Sequence, residues 1–345
     1  MKTPAAILFE LGKPLRIEEI EIPTLKPEQV LVEISYSGVC HTQVSEVRGF
    51  RGKDPFLPHC LGHEGSGVIR ECGTNVRKVK AGDQVILSWI KGSGGDIPGT
   101  TYSLNGTMVN SGAISTFSKL AVISENRITR IPAGLNLMDV PYLGCAVATG
   151  LGAVFNTAAV SPGQSLAVFG VGGIGLCAVA GAAIAGCYPV IAIDRHQSRL
   201  EIARSMGASV IINTSEGDPL PRIAEHCPRG LDFAIEASGN TSAMLNSLMA
   251  VRSQGGVAVI VGNAKAGESI ALDPKLLNMG KQLRGTWGGD TNPDRDFPRY
   301  AALLASGRLN LAPLQSRSYA LNDINQALDD LEAGTVARPL IDMSL

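Results

Sequence analysis

The run SLAVFGVGGIGLCAVAGAAIAG, residues 165–186, constrains the fold more than any other stretch. A short apolar run, a G-x-G-x-x-G turn at Gly170, Gly172 and Gly175, and a helix-forming run follow without a gap. The first glycine permits a tight turn, the second lets backbone approach a pyrophosphate, and the third lets helix and strand pack closely. Gly173 and Ile174 open the helix, whose N-terminus favours negative charge. The pattern then repeats. PVIAID, ASVIIN, LDFAIEAS and GVAVIVG read as buried strands, and SRLEIARSMG, DPLPRIAEHC and TSAMLNSLMAV as the helices between them. Alternation of this kind predicts an α/β doubly wound parallel sheet.

Nineteen residues beyond Gly175 stands Asp194, at the end of the next expected strand. A carboxylate there accepts from adenine-ribose hydroxyls and repels a 2′-phosphate, which favours NAD over NADP. Arg195 is the counter-signal, because a cation could accept that phosphate. Arg199 is placed near the same ribose, or is an ordinary solvated helix charge.

Residues 176–193 carry no charge over a length that would cross a bilayer. Gly186 and Pro189 divide them, so a buried helix and a buried strand explain them better. Thirty basic residues against 31 acidic ones leave a net charge of −1, which argues against nucleic-acid and membrane-surface binding. Seven scattered cysteines make a poor disulfide framework and fit a reducing cytoplasm.

Upstream, EQVLVEISYSGV alternates like a half-buried strand, and GSGVIREC and GDQVILSW read as shorter ones. Residues 91–110 read as a Gly-, Ser- and Thr-rich loop. After Trp287 the βα alternation stops, and two helices flank RSYAL. Thiols and imidazoles are the usual zinc ligands, and three of them stand beside glycines or strand ends. Cys40 follows a strand, His63 lies in LGHEGSG, and Cys145 lies in LGCAVATG. No pair has CxxC spacing, so spacing alone leaves buried packing open for each.

GVCHT, GHEGSG, GDQV, GCAVATG and GVGGIG stand in the order found in zinc-dependent medium-chain alcohol dehydrogenases, which the chain resembles over nearly its whole length. The resemblance implies a GroES-like catalytic domain over residues 1–147, a Rossmann domain over 148–286, and a return to the catalytic domain over 287–345. It implies Cys40, His63 and Cys145 as ligands of one catalytic zinc. It makes Glu64 the carboxylate behind the metal, Thr42 the hydroxyl that takes the substrate proton, and His41, Thr149 and Arg338 cofactor contacts. Trp89 matches a position that walls the substrate pocket; its plainer reading is a barrel core residue.

Three departures matter. Gln43 stands where relatives carry the Asp that orients the ligand histidine. Ser45 replaces a His that passes the proton onward. No cysteine lies between Cys72 and Cys145, so no structural zinc is expected. The expected activity is hydride transfer between an alcohol and NAD, with an aldehyde or ketone in reverse, by a homodimer or homotetramer. Two alternatives stay open: a zinc-independent reductase of conjugated carbonyls, and a non-catalytic dinucleotide-binding subunit.

Overall fold

A computed structural model of the chain describes residues 1–345 except 133 and 316. In chain order it opens with β1 (Lys2–Leu8), β2 (Arg16–Glu21), β3 (Gln29–Gly38), the short helix α1 (His41–Val47), β4 (His59–Cys60), β5 (Glu64–Cys72) and β6 (Gln84–Ser88). Then come β7 (Thr101–Leu104), β8 (Thr107–Asn110), β9 (Leu120–Ser124) and β10 (Ile128–Arg130). The alternating part follows: α2 (Ala146–Gly152), β11 (Leu166–Phe169), α3 (Gly173–Ile184), β12 (Val190–Asp194), α4 (Gln197–Ser205), β13 (Val210–Asn213) and α5 (Pro219–His226). It continues through β14 (Phe233–Glu236), α6 (Thr241–Ala250), β15 (Val257–Ile260), α7 (Pro274–Asn278) and β16 (Gln282–Gly285). The chain ends with α8 (Pro293–Ala305), β17 (Ser318–Tyr319), α9 (Ile324–Ala333) and β18 (Leu340–Asp342).

The strands form a closed barrel β1-β2-β7-β8-β4, a sheet ordered β10-β6-β5-β3-β18-β17 with β9 also on β3, and a parallel sheet ordered β13-β12-β11-β14-β15-β16. The last is the expected doubly wound sheet. Two compact units result. One comprises Met1–Cys145, Asn292–Ser306 and Gln315–Leu345; the other comprises Ala146–Thr291 and Gly307–Leu314. The boundaries differ from the expected ones for a local reason. α2 packs on α3, and the Thr291 hydroxyl donates to the Ala148 carbonyl at 2.7 Å, so residues 146–147 and 287–291 go with the parallel sheet.

In the first unit β3 divides two cores by its pleat. Val30, Val32 and Ile34 face one that includes Leu87, Ile123 and Ile341. Leu31 faces the other, with Ile7, Ile20, Cys60, Tyr102 and Val122. Each such side chain contributes about 1.5–3 kcal/mol on burial, and a one-residue slip of β3 would turn all four toward the wrong core.

Residues 91–110 contain more order than their composition announces. β7 and β8 pair as a hairpin whose turn residues, Asn105 and Gly106, have φ of 50° and 84°, the geometry that Asn-Gly favours. The Glu125 carboxylate, 3 % exposed, accepts from the backbone amides of Arg77, Lys78 and Gly95 at 2.6, 2.8 and 3.0 Å. Lys78 Nζ donates to the Ser93 carbonyl and to Asp294, which also accepts from the Ser93 amide. Among the described residues no helix is long and apolar enough to cross a membrane.

Candidate metal centre and dinucleotide site

Three loops bring the thiols and the imidazole together. Cys40 follows β3 as the residue before α1, His63 directly precedes β5, and Cys145 ends a short turn at Pro141–Gly144. The loop before His63 is held by Gly62, at φ 91°. A methyl there would lie 2.4 Å from Thr116 Oγ1 and 2.8 Å from the Phe117 amide, so only glycine fits the approach. The Ser88 hydroxyl donates to the Gly144 carbonyl at 2.6 Å, which fixes the turn carrying Cys145.

The ligand atoms of Cys40, His63 and Cys145 all lie within 4.8 Å of one another. Both thiols are buried, and His63 Nε2 is a buried nitrogen without a hydrogen-bond partner. A hydrogen bond from Cys145 holds the Cys40 thiol well below its ordinary range; burial opposes this, and Arg338 and His63 support it. Cys145 is raised well above its range by Cys40 and by burial. The two shifts oppose each other because the thiols share one hydrogen bond, and a cation between them would let both ionise. Two sulfurs, one partnerless imidazole nitrogen and a compact spacing fit the three protein ligands of a catalytic zinc.

Around this group, Gln43 is 1 % exposed, with Nε2 at 2.5 Å from His63 Nδ1. Thr42 is half-buried, and its Oγ1 lies 3.7 Å from the Cys40 sulfur. The Trp89 ring meets the His63 ring edge-on, with centroids 6.5 Å apart. Its carbonyl accepts from Arg127. Glu64 is fully buried, and burial pushes its carboxyl up, against the pull of Arg338. Arg338, 3 % exposed, donates to Glu64 Oε1, a partner that the sequence does not announce. Its Nε and the other Glu64 oxygen have no partner. His41 is exposed at the start of α1. One nearby carboxylate has no motif to mark it in the sequence. Glu46 lies four residues beyond Thr42 on α1, hence on the same helical face. Burial raises it against His63 and Arg51, and it pairs with Arg51 at 2.8 Å.

The glycine turn belongs to the other unit. Gly170 has φ 85°. A methyl built on Gly175 would lie 1.9 Å from the Gly170 carbonyl oxygen, whereas one on Gly172 would meet nothing within 4 Å. Gly175 is thus required by packing, and Gly172 leaves an open cradle at the start of α3 that a side chain would fill. The amides of Gly173 and Ile174, in the first turn of α3, have no carbonyl four residues back within the helix. Asp194, 8 % exposed, accepts from the Val171 amide at 2.9 Å and the His196 amide at 2.9 Å. Arg195 is exposed and donates to the His196 ring at 3.0 Å, and Arg199 is half-buried in α4. Thr149, 5 % exposed, has a buried hydroxyl without a partner. This cradle suits a dinucleotide pyrophosphate. Glu236, at the end of β14, is also fully buried, and one of its oxygens accepts from the Ser238 and Gly239 amides. The signal was available in EASG, a carboxylate ending a strand beside the glycine turn.

Residues 26–133 match the alcohol dehydrogenase GroES-like domain family, and residues 173–306 match the zinc-binding dehydrogenase family. The chain is 37% identical to an S-(hydroxymethyl)glutathione dehydrogenase of Synechocystis sp. and 36% identical to one of Photobacterium damsela subsp. piscicida, each over 99% of this chain and 100% of the relative. Among solved structures, a benzyl alcohol dehydrogenase from Acinetobacter calcoaceticus superposes with a TM-score of 0.90 at 28% identity, covering 99% of both chains. An alcohol dehydrogenase zinc-binding domain protein from Burkholderia ambifaria gives 0.89 at 30%, with the same coverage.

Proposed function

Because the chain belongs to the zinc-containing medium-chain alcohol dehydrogenase family, we propose that it interconverts an alcohol and its aldehyde or ketone with NAD as the hydride partner. The observation that carries this reading is the gathering of the Cys40 and Cys145 sulfurs and a His63 ring nitrogen within 4.8 Å of one another. These three residues would hold the zinc. Bound zinc supplies Lewis acidity toward the substrate oxygen, and bound nicotinamide supplies the hydride acceptor. The rest falls to side chains. The Thr42 hydroxyl accepts the substrate proton at Oγ1 and passes its own outward. Glu64 sets a buried negative charge behind the ligands, where it can assist ligand exchange, and Gln43 orients the His63 ring. Trp89 walls the pocket, which favours a flat or elongated alcohol.

For the cofactor, Gly172 gives the pyrophosphate its approach, and the Asp194 carboxylate favours an unphosphorylated ribose despite Arg195. Thr149, Arg199, His41 and Arg338 are further candidates for holding it. We expect no second, structural zinc, since residues 73–144 contain no cysteine. We also expect a homodimer or homotetramer in a reducing cytoplasm, where seven thiols outside disulfides are stable. Full-length similarity to S-(hydroxymethyl)glutathione dehydrogenases makes the glutathione adduct of formaldehyde a second candidate substrate.

Zinc content by elemental analysis, together with NADH formation on aliphatic alcohols, aryl alcohols and S-(hydroxymethyl)glutathione, tests the reading. One zinc per chain and turnover of at least one substrate are expected. Cys40→Ala should lose the zinc and at least about 100-fold in kcat while still binding NAD. Retained turnover without metal would refute the zinc role.

A further inference from the structure

Gln43 has two duties and one oxygen. As the third residue of α1 its Oε1 reaches back to accept from the Cys40 backbone amide at 2.9 Å. Its Nε2 lies 2.5 Å from His63 Nδ1. The side chain is 1 % exposed, so water does not share either task. An amide offers one acceptor oxygen and an NH2 that only donates. With the oxygen on Cys40, the NH2 donates to His63 Nδ1, which must then be the bare ring nitrogen. The ring proton sits on Nε2, the nitrogen that faces the two thiols and has no other partner. In that tautomer Nε2 has no lone pair for a metal.

Loading a cation on Nε2 reverses the arrangement. The ring proton moves to Nδ1, with no net change of protons on the ring, and Nδ1–H then needs an acceptor. The Gln43 amide can supply one only by turning its oxygen toward the imidazole. That turn brings the NH2 to the Cys40 amide, donor against donor, and leaves a buried N–H unmet. A carboxylate at this place would accept from both at once.

We propose that Gln43 is a positioning residue that couples metal loading to the start of α1: the metal-free site is a closed hydrogen-bonded state, and zinc binds by flipping the amide and releasing the Cys40 N–H. The coupling lowers zinc affinity relative to a carboxylate at this position, and it makes the ligand-bearing residue Cys40 sense occupancy through its own backbone. This rests on the zinc reading above.

The chain has five histidines and seven cysteines, few enough for selective 15N labelling of both residue types. In the metal-free full-length protein, His63 should carry its proton on Nε2 and the Cys40 amide should be protected from exchange. After zinc addition the proton should be on Nδ1, and the Cys40 amide should exchange at least tenfold faster. By competition with a chromophoric chelator, Gln43→Glu should bind zinc about 10–100-fold tighter than the wild type and keep the Cys40 amide protected in both states. Equal Cys40 protection with and without zinc in the wild type overturns the proposal, and needs no variant to fold. Wild-type affinity in a folded Gln43→Glu overturns it as well. Failure of the wild type to bind zinc at all would remove the zinc reading itself, and the proposal with it.

Discussion

Gly172 and Gly175 stand three residues apart in one turn, yet substitution by alanine should affect different properties. At Gly172 the backbone has φ −73° and ψ −166°, which alanine adopts freely, and a methyl meets nothing within 4 Å. Reduced freedom of the unfolded chain stabilises by about 0.4–1 kcal/mol. Alanine before the first turn of α3 is a poorer cap than glycine, a loss of roughly the same size. The two nearly cancel, so the melting temperature should stay within about 4 °C of wild type. The methyl does occupy the place where a pyrophosphate would approach the α3 amides. Losing a charged hydrogen bond there costs about 1.5–3 kcal/mol, so NADH should bind roughly 10–150-fold more weakly. At Gly175 the methyl collides with backbone, 1.9 Å from the Gly170 oxygen and 2.9 Å from its carbon. Overpacking of that kind costs about 1–3 kcal/mol, here toward the upper end because no flexible side chain can yield. Differential scanning fluorimetry and NADH fluorescence titration on both variants separate the effects. If Gly172→Ala binds NADH within threefold of wild type, or loses more stability than Gly175→Ala, the assignment of the cradle is wrong.

Other outcomes follow from the same geometry. Arg338→Met leaves the Glu64 carboxylate buried without its partner, so urea unfolding at pH 7 should show a loss of about 3–5 kcal/mol; adding Glu64→Gln should restore much of it. For Asp232, burial pushes the carboxyl up, but the Ser165 amide, Arg252 and the Ser165 hydroxyl together hold it below its ordinary value. A carboxyl depressed by folding contributes fully above its unfolded pKa, about 3.9, and loses that contribution as pH falls through the lower folded value. Asp232→Asn should therefore flatten the acid limb of stability against pH, as followed by denaturant titration at stepped pH. Trp89→Ala should lower kcat/KM for an aryl alcohol roughly 2–12-fold, if the ring contributes the usual aromatic increment, with zinc content unchanged.

The parallel sheet was legible because each strand from β11 to β15 is a short apolar run next to a helix-forming one. β16 was not: QLRG is an edge strand whose residues are mostly exposed, so burial left no pattern to read. The β7–β8 hairpin was hidden by a composition of Gly, Ser and Thr, although Asn105-Gly106 is a local hairpin signal. The metal ligands form no local motif, because three separate loops supply them; the resemblance, not spacing, picked them out. Gln43 was visible as a departure, but its commitment to the Cys40 amide depends on where two atoms of one side chain point. The Glu64–Arg338 pair joins residues far apart in the chain and could not be read from either.

The carboxylate that gathers the Arg77, Lys78 and Gly95 amides has its own consequence. Burial raises Glu125, but those three amides outweigh it and hold it below the ordinary carboxyl range. The hairpin region is thus moored by an anchor that responds to hydrogen-ion activity and is indifferent to chelators. Stripping metal should leave residues 91–110 as resistant to protease as before, whereas only acid below the ordinary carboxyl range should unfasten them.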